Sequence, residues 1–511
     1  MFRPNRAGIN PAPTVARAFR IGSWAPRNGL ISLLAVLLSL TLAGCAAGPK
    51  YTPVKPEAPN KWHTELQGGL TARQPDSKTL ARWWTTLRDP VLSSLEERAV
   101  KGNLDLKKAL ERIREARALR GIEKAKLFPN LNASGSAQEI RTSAYSTEET
   151  MEGGRRGEES KLYKVGFDSS WELDIFGGIR RSIQAAQAEL EATREELHDV
   201  LVSLLAEVSL NYVEVRTYQE RLSAARTNMK AQQHIYELNL SRYHAGLIDE
   251  LAVQQSRYVL ESTRAQIPAL ETGLERAENR LAVLLGEKPG SLHQELAPNR
   301  TIPVPPVTVA VGIPADTLRH RPDVRRAERE LAAATARIGV AKSELYPKFN
   351  LSGTIGLESV STGHLWEWVS RTSSFGLNVL WKIFHAGALR QNIKVQTARQ
   401  KQAFIQYEST VLKAMEEVEN ALVAYAKEQQ RLESLKSAVK AAKLAYEIAW
   451  DRYKAGLVDF TDVLDAERSL QSYQDKLAQS EGAVTSNFVR LYKTLGGGWK
   501  CLEPLAEKSR K

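Results

Sequence analysis

The sequence predicts a mainly α chain with a β-barrel portion, built from two copies of one unit: a strand hairpin followed by long coiled-coil helices. Three observations predict this. An internal repeat recurs near 210 residues, apolar residues stand four and three apart along a proline-free run in each copy, and two alternating segments precede each run.

At 511 residues the chain has room for several domains, and 42% hydrophobic with 25% charged residues is the balance of a folded chain. That balance speaks against wholesale disorder and against a polytopic helical membrane protein. One segment is apolar enough to enter a bilayer: Leu30 to Leu42, preceded by Arg3, Arg6, Arg17, Arg20 and Arg27 with no acidic residue. It is too short to span about 30 Å of hydrocarbon as a helix, so residues 1–44 read as a secretory signal. The run ends in Leu42-Ala43-Gly44-Cys45, which resembles the bacterial lipobox. The resemblance implies that Cys45 carries diacylglycerol and an N-acyl lipid after cleavage. Ala46 stands where lipoproteins kept in the inner membrane carry Asp, which favours the outer membrane. Cys501 is then the one remaining thiol, and no intrachain disulfide can form. Loss of the five signal arginines lowers the formal net charge from +12 to +7. The other charges intersperse both signs along helical segments, a pattern of solvated helix faces and not of a nucleic-acid partner.

The repeat is explicit in Arg242-Tyr243-His244-Ala245-Gly246-Leu247-Ile248-Asp249, which returns as Arg452-Tyr453-Lys454-Ala455-Gly456-Leu457-Val458-Asp459 with six of eight positions identical. Upstream, Leu201, Leu205, Val208, Tyr212 and Val215 lead to Leu222, Met229, Tyr236 and Tyr243; the later copy has Val411, Met415, Val418, Leu422 and Tyr425, then Leu432, Val439, Tyr446 and Tyr453. This 3.5-residue period is that of coiled-coil packing. A second stripe, Ala414, Ala421, Leu435, Ala442 and Ala449, gives the later helix two seams and so two helical neighbours. Runs from Gly178 to Tyr243 and from Gly387 to Tyr453 would each reach about 100 Å as helices.

Ahead of each run lie strand patterns. Tyr163, Val165, Phe167, Trp171, Leu173 and Ile175 alternate with polar residues, as do Leu131, Ala133, Gly135 and Ala137. The later copy supplies Phe349, Leu351, Ile355 and Leu357, then Phe375, Leu377, Val379, Trp381 and Ile383. A soluble half-buried sheet shows the same alternation. The lipoprotein signal, the aromatic residues near strand ends and the polar loop Arg141 to Ser160 favour a membrane barrel. Four strands cannot close one, and open edges in lipid cost several kcal/mol per unpaired group. Two copies would give eight strands with a filled interior, whereas three give twelve and leave a channel.

These hairpin-and-coil repeats, with Leu173-Asp174-Ile175-Phe176-Gly177-Gly178, the repeated Arg-Tyr-x-Ala-Gly-Leu-x-Asp and Leu491-Tyr492-Lys493-Thr494-Leu495-Gly496-Gly497-Gly498-Trp499, resemble the TolC family, in its OprM/NodT-like lipoprotein branch, from roughly Cys45 to Trp499. The resemblance implies a homotrimer whose 12-stranded outer-membrane β-barrel continues into a 12-helix periplasmic α-barrel. The expected layout begins with the signal over 1–44 and an N-terminal anchor and equatorial segment over 45–100. A first repeat over 101–286 has strands near 128–140 and 161–176 and long helices near 178–243 and 249–285. An equatorial linker over 287–320 leads to a second repeat over 321–496, with strands near 347–358 and 373–384 and long helices near 387–453 and 459–495. An equatorial tail covers 497–511.

Gly246 and Gly456 suit helix ends that reverse the chain. With Ala245, Leu247, Ala455 and Leu457 they form the rim that, by the resemblance, docks a periplasmic adaptor. Asp462 and Asp465 are three apart and share a helix face. Such a pair is often merely solvated; aligned with the family, it falls where carboxylates ring the periplasmic entrance and favour cations. Arg468 is placed to pair with a carboxylate, and Tyr453 to hydrogen-bond across the gate. Thr461 departs from relatives that carry an apolar residue there, so a hydrophobic constriction is in doubt. No catalytic spacing appears: the eight histidines form no His-Glu-x-x-His, there is no Gly-x-Ser-x-Gly, and Leu285-Gly286-Glu287-Lys288 lacks the Walker pattern. The chain therefore reads as a non-enzymatic exit duct of an efflux system, without cofactor, served by an adaptor and an inner-membrane pump of the resistance-nodulation-division type. A type I protein secretion outlet and a structural coiled-coil lipoprotein are the competing readings.

Overall fold

The computed structural model describes residues 46–54, 58–74, 76–141 and 159–499, all within one unit that begins at Ala46. The signal segment, the lipidation candidate Cys45, most of the polar loop (142–158), Cys501 and the tail beyond Trp499 lie outside the described residues.

Helices α1 (Pro90–Gly102) and α2 (Leu104–Ala125) lead into strands β1 (Asn130–Arg141) and β2 (Glu159–Leu173), then the long helix α3 (Gly178–His244) and its return α4 (Glu250–Leu285). The second copy follows as α5 (Pro322–Ser343), β3 (Lys348–Ser359), β4 (Arg371–Leu380), α6 (Ala388–Lys454) and α7 (Phe460–Thr494). The two long helices, α3 and α6, are 67 residues each. Among the described residues no helix is long and apolar enough to cross a membrane.

The strands form one antiparallel sheet in the order β1-β2-β3-β4, so the two hairpins join through β2 and β3, with Phe167 opposite Ile355. Prolines set its near edge. Pro129 and Pro347 precede β1 and β3, and a proline cannot donate to a ladder. The register that pairs Lys348 with Leu380 would set Trp381 opposite Pro347, so β4 stops short of the expected Phe384. Likewise β2 ends at Leu173, not Phe176, because the Asp174 carboxylate turns to the next helix and accepts from the backbone N–H groups of Ile179 and Arg180 at 3.0 and 2.8 Å.

The two faces of the sheet differ in chemistry. On one, Asn132 donates to Asp168 at 2.9 Å, Thr354 and Ser374 share a hydrogen bond at 2.7 Å, and Lys164 pairs with Glu358 at 2.9 Å. On the other, Leu131, Phe167, Ile355, Phe375 and Leu377 lie exposed, with no core against them. A half-buried soluble sheet would cover that apolar face. Here it is bare, and β1 and β4 are edges without a partner strand among the described residues.

The main core lies where both repeats meet the flanking segments. Trp83, Leu92, Leu95, Leu201, Leu205, Tyr212, Tyr425 and Phe488 are fully or almost fully buried there. Asp89 starts α1 by accepting from Val91 and Leu92 N–H at 2.8 and 3.1 Å, and receives the Tyr212 hydroxyl at 2.6 Å. α3 packs on α2, α4, α5 and α7, while α6 packs on α5 and α7. Exposed apolar residues remain on the outer helices: Leu110, Leu119 and Ile122 on α2, Leu251 and Val283 on α4, and Leu412, Leu444 and Ile448 on α6.

Glu96 is fully buried in α1; it accepts from Ser209 at 2.6 Å, and its second oxygen has no partner among the described residues. Burial pushes its carboxyl well above the usual range. A carboxyl raised by folding stabilises while protonated: the contribution is complete below the unfolded value and is lost as pH rises through the folded one. Glu96→Gln keeps an acceptor for Ser209 and cannot ionise. Its melting temperature should therefore exceed the parent's at pH 8 and converge with it toward pH 4; parallel melting curves across that range would contradict the burial of this acid.

Candidate functional site

At the end of α3, Leu247 N donates to Arg242 O at 2.9 Å and Gly246 N to Tyr243 O at 2.8 Å. After α6, Leu457 N donates to Arg452 O at 2.9 Å and Gly456 N to Tyr453 O at 3.0 Å. This double closure requires a left-handed residue, and Gly246 and Gly456 have φ of +73° and +71°. A side chain at either glycine would meet nothing within 4 Å, so backbone conformation and not crowding calls for glycine. Ala245 and Ala455 are the cap residues before them, and Leu247 and Leu457 are 72% and 73% exposed. Asp249 caps α4 by accepting from Ala252 N at 3.2 Å.

A small core sits behind the turns. Ile235, Ala252, Val259, Tyr453, Phe460, Val463 and Leu464 draw on both copies, with Tyr453 and Phe460 rings 5.3 Å apart. Asp462 and Asp465 lie in the opening turns of α7 on its exposed face, away from Val463 and Leu464. Thr461 is exposed beside them. Arg468 lies 3.8 Å from the Asp465 carboxylate, donates to the Tyr258 hydroxyl, and has its guanidinium 5.1 Å from the Tyr258 ring centre.

Tyr453 corrects the expectation of a bond across the gate. It is buried, and its hydroxyl donates to Asn239 Oδ1 at 3.0 Å within the same chain. The tip core claims its ring, because α6 delivers it between α3 and Phe460. Its counterpart Tyr243 is 39% exposed, so one repeated residue serves two environments.

Sequence reasoning missed four residues here. Tyr258 stands 210 positions before Arg468, so the contact joins equivalent sites of the two copies. Gln232, Asn239 and Glu467 form a polar patch inside the seam. Both amide atoms of Gln232 and the Asn239 amide nitrogen make no hydrogen bond of good geometry among the described residues, although the Gln232 amide lies close enough to Glu467 to offset in part the upward push of burial on its carboxyl. Burial pushes the Glu467 carboxyl up, and burial first, then Glu467, pushes the Tyr446 hydroxyl up to about 12. The signal was in the repeat: the later copy has Ala442 and Ala449 where the first has Gln232 and Asn239.

A sheet that offers one bare face to lipid and a hydrogen-bonded face to water, continued by long helices to solvated tips, is the architecture of a membrane channel. The chain belongs to the outer membrane efflux protein family, whose sequence profile matches residues 95–287 and 313–497. It is 34% identical over 475 residues to Nodulation protein T of Rhizobium leguminosarum bv. trifolii, covering 90% of this chain and 96% of that protein. It is 30% identical over 473 residues to the toluene efflux pump outer membrane protein TtgF of Pseudomonas putida, covering 91% and 96%. Among solved structures it is similar to the outer-membrane channel OprN, with a TM-score of 0.83, 35% identity, and coverage of 89% of this chain and 100% of that one. The protein is thus an efflux channel protein of the outer membrane, from a family of channels and not of enzymes.

Each buried polar atom left without a partner costs about 1–3 kcal/mol. Gln232→Leu keeps the volume and removes two atoms that make no hydrogen bond of good geometry, so it should slow limited proteolysis near the tips and raise the melting temperature. A lower melting temperature would mean that Gln232 is satisfied in the native protein.

Proposed function

We propose that three copies form the exit duct of a tripartite efflux system, lipid-anchored through Cys45 and passing small molecules from the periplasm outward. The observation that carries this reading is the four-stranded sheet with two open edges and a bare apolar face. In lipid, each unpaired backbone group on those edges costs several kcal/mol, and joining β4 of one copy to β1 of the next removes the cost. Three copies give a twelve-stranded barrel wide enough for a channel.

The duplication supports the same assembly below the membrane. Within one chain α7 packs on α3 and α5 packs on both long helices. By the repeat, the matching surfaces between copies are α4 and α2 against the next copy's α6. Those helices retain exposed apolar residues.

In this assembly Asp462 and Asp465 from three copies place six carboxylates around the entrance, where they favour cations. Arg468, tied to Asp465 and Tyr258, holds α7 to α4 in the closed arrangement. The six tips, Ala245-Gly246-Leu247 and Ala455-Gly456-Leu457 in each copy, meet a periplasmic adaptor, and the exposed leucines provide close apolar contact. Adaptor docking opens the entrance through its higher affinity for the open state. Shifting the gate from about 1:99 to about 99:1 needs about 5.5 kcal/mol, or roughly 1 kcal/mol at each of six tips. Energy comes from an inner-membrane pump, in this reading of the resistance-nodulation-division type. The relative TtgF, named for toluene efflux, supports a small-molecule cargo over a secreted protein.

In planar bilayers, Asp465→Ala should raise single-channel conductance and weaken cation preference. If both quantities match the parent's, Asp465 is not part of the constriction.

A further inference from the structure

Beside the foot of the sheet a cavity of about 580 Å³ opens between α3, α5 and the strap that follows Cys45. Ala46, Lys50, Arg120, Arg181, Glu191 and Arg329 line it, four cations against one carboxylate. Arg329 is neutralised, because it lies 3.3 Å from Glu191 and 2.8 Å from Glu328. The other three cations have no carboxylate partner among the described residues. Arg181 is only 7% exposed, and its guanidinium donates to neutral groups: Ala47 O and Gly48 O at 3.1 Å each, and Gln184 Oε1 at 2.9 Å. The Arg120 Nε is buried with no hydrogen-bond partner among the described residues. Lys50 is exposed at the mouth. A buried cation is ordinarily paired, and the charge lining this cavity therefore suits an anionic ligand.

Its level in the protein says which anion. The strap is fixed to the foot of β2, where Ala47 N donates to Phe176 O at 2.9 Å, and Ala46 packs so close to Gly177 that a side chain there would collide with its backbone. Aromatic residues mark the same level. Phe176 stacks on Tyr346 at 4.6 Å, and the Trp171 and Trp381 indoles donate to Leu127 O at 2.9 Å and Leu345 O at 3.1 Å. Such amphipathic rings sit at the headgroup depth of a bilayer. Ile183, Ala188, Ala332 and Ala336 give part of the cavity an apolar wall beside the charges, with Gln184 and Gln187 also in its lining. A phosphate flanked by glycerol and acyl carbons matches both parts.

We propose that this cavity binds the phosphate headgroup of an anionic phospholipid from the periplasmic leaflet, held by Arg181, Arg120 and Lys50. The inference rests on the membrane placement of the sheet given above. Bound there, the lipid supplies the charge that Arg181 lacks and ties the strap, α3 and α5 to the leaflet.

The test is native mass spectrometry of the full-length trimer titrated separately with phosphatidylglycerol, phosphatidylethanolamine and inorganic phosphate. The intact protein should retain phosphatidylglycerol at about tenfold lower concentration than phosphatidylethanolamine, and millimolar inorganic phosphate should not displace it. The double variant Lys50→Gln/Arg120→Gln should lose that preference while conducting ions as the parent does. Where the double variant fails to assemble, Lys50→Glu, at an exposed position, provides the same comparison. Equal retention of the two lipids, displacement by phosphate alone, or a preference undiminished in the variants would overturn the site. Each of these results leaves the channel assignment standing, which only a loss of conductance in the parent would remove.

Discussion

Lipid offers no hydrogen bonds to a peptide group, and that constraint governs this chain from strand to assembly. β1 and β4 present edge N–H and C=O groups along 12 and 10 residues, next to a face bearing Phe167, Ile355 and Phe375. Water would tolerate the edges but not the face, and lipid the face but not the edges. Only closure with further copies satisfies both. The helices inherit the problem, because a wall built on a ring of strands must itself close, which explains why α2, α4 and α6 keep apolar residues on their outer sides.

Duplication is an economical way to make such a wall. One unit is used twice in the chain, and packing between repeats inside a copy foreshadows packing between copies. The contact of Tyr258 with Arg468 shows the principle at the scale of two side chains, since equivalent positions of the two units face one another. Single-chain packing is strongest where flanking segments fill the core around Trp83, Tyr212 and Phe488. Toward the tips the core thins to the cluster around Tyr453 and Phe460, and polar residues enter it.

Much of the fold was legible because its signals are periodic. The heptad run from Leu201 to Tyr243 and its copy located α3 and α6, and the alternation around Phe167 and Ile355 located the strands. The repeated Ala-Gly-Leu triplet located both turns, since a left-handed residue after a long apolar period has few other uses. Environment was less legible. Tyr243 and Tyr453 occupy the same place in the repeat, and only the packing of Phe460 decides which is covered. The helices α2 and α5 were not read from the sequence, where the repeated heptads and the strand alternation lie in the elements that follow them. The cations around the strap come from α2, α3, α5 and the N-terminal segment, so no spacing along the chain could bring Arg120, Arg181 and Lys50 together.

The difference between Gln232 and Asn239 in one copy and Ala442 and Ala449 in the other has a consequence for symmetry. A tube assembled from six nearly identical staves would yield equally at every joint under an even load around its rim. Here the first copy carries the buried polar side chains Gln232 and Asn239 where the second carries Ala442 and Ala449. In the proposed assembly the two kinds of stave alternate around the rim, so its joints repeat with threefold and not sixfold symmetry.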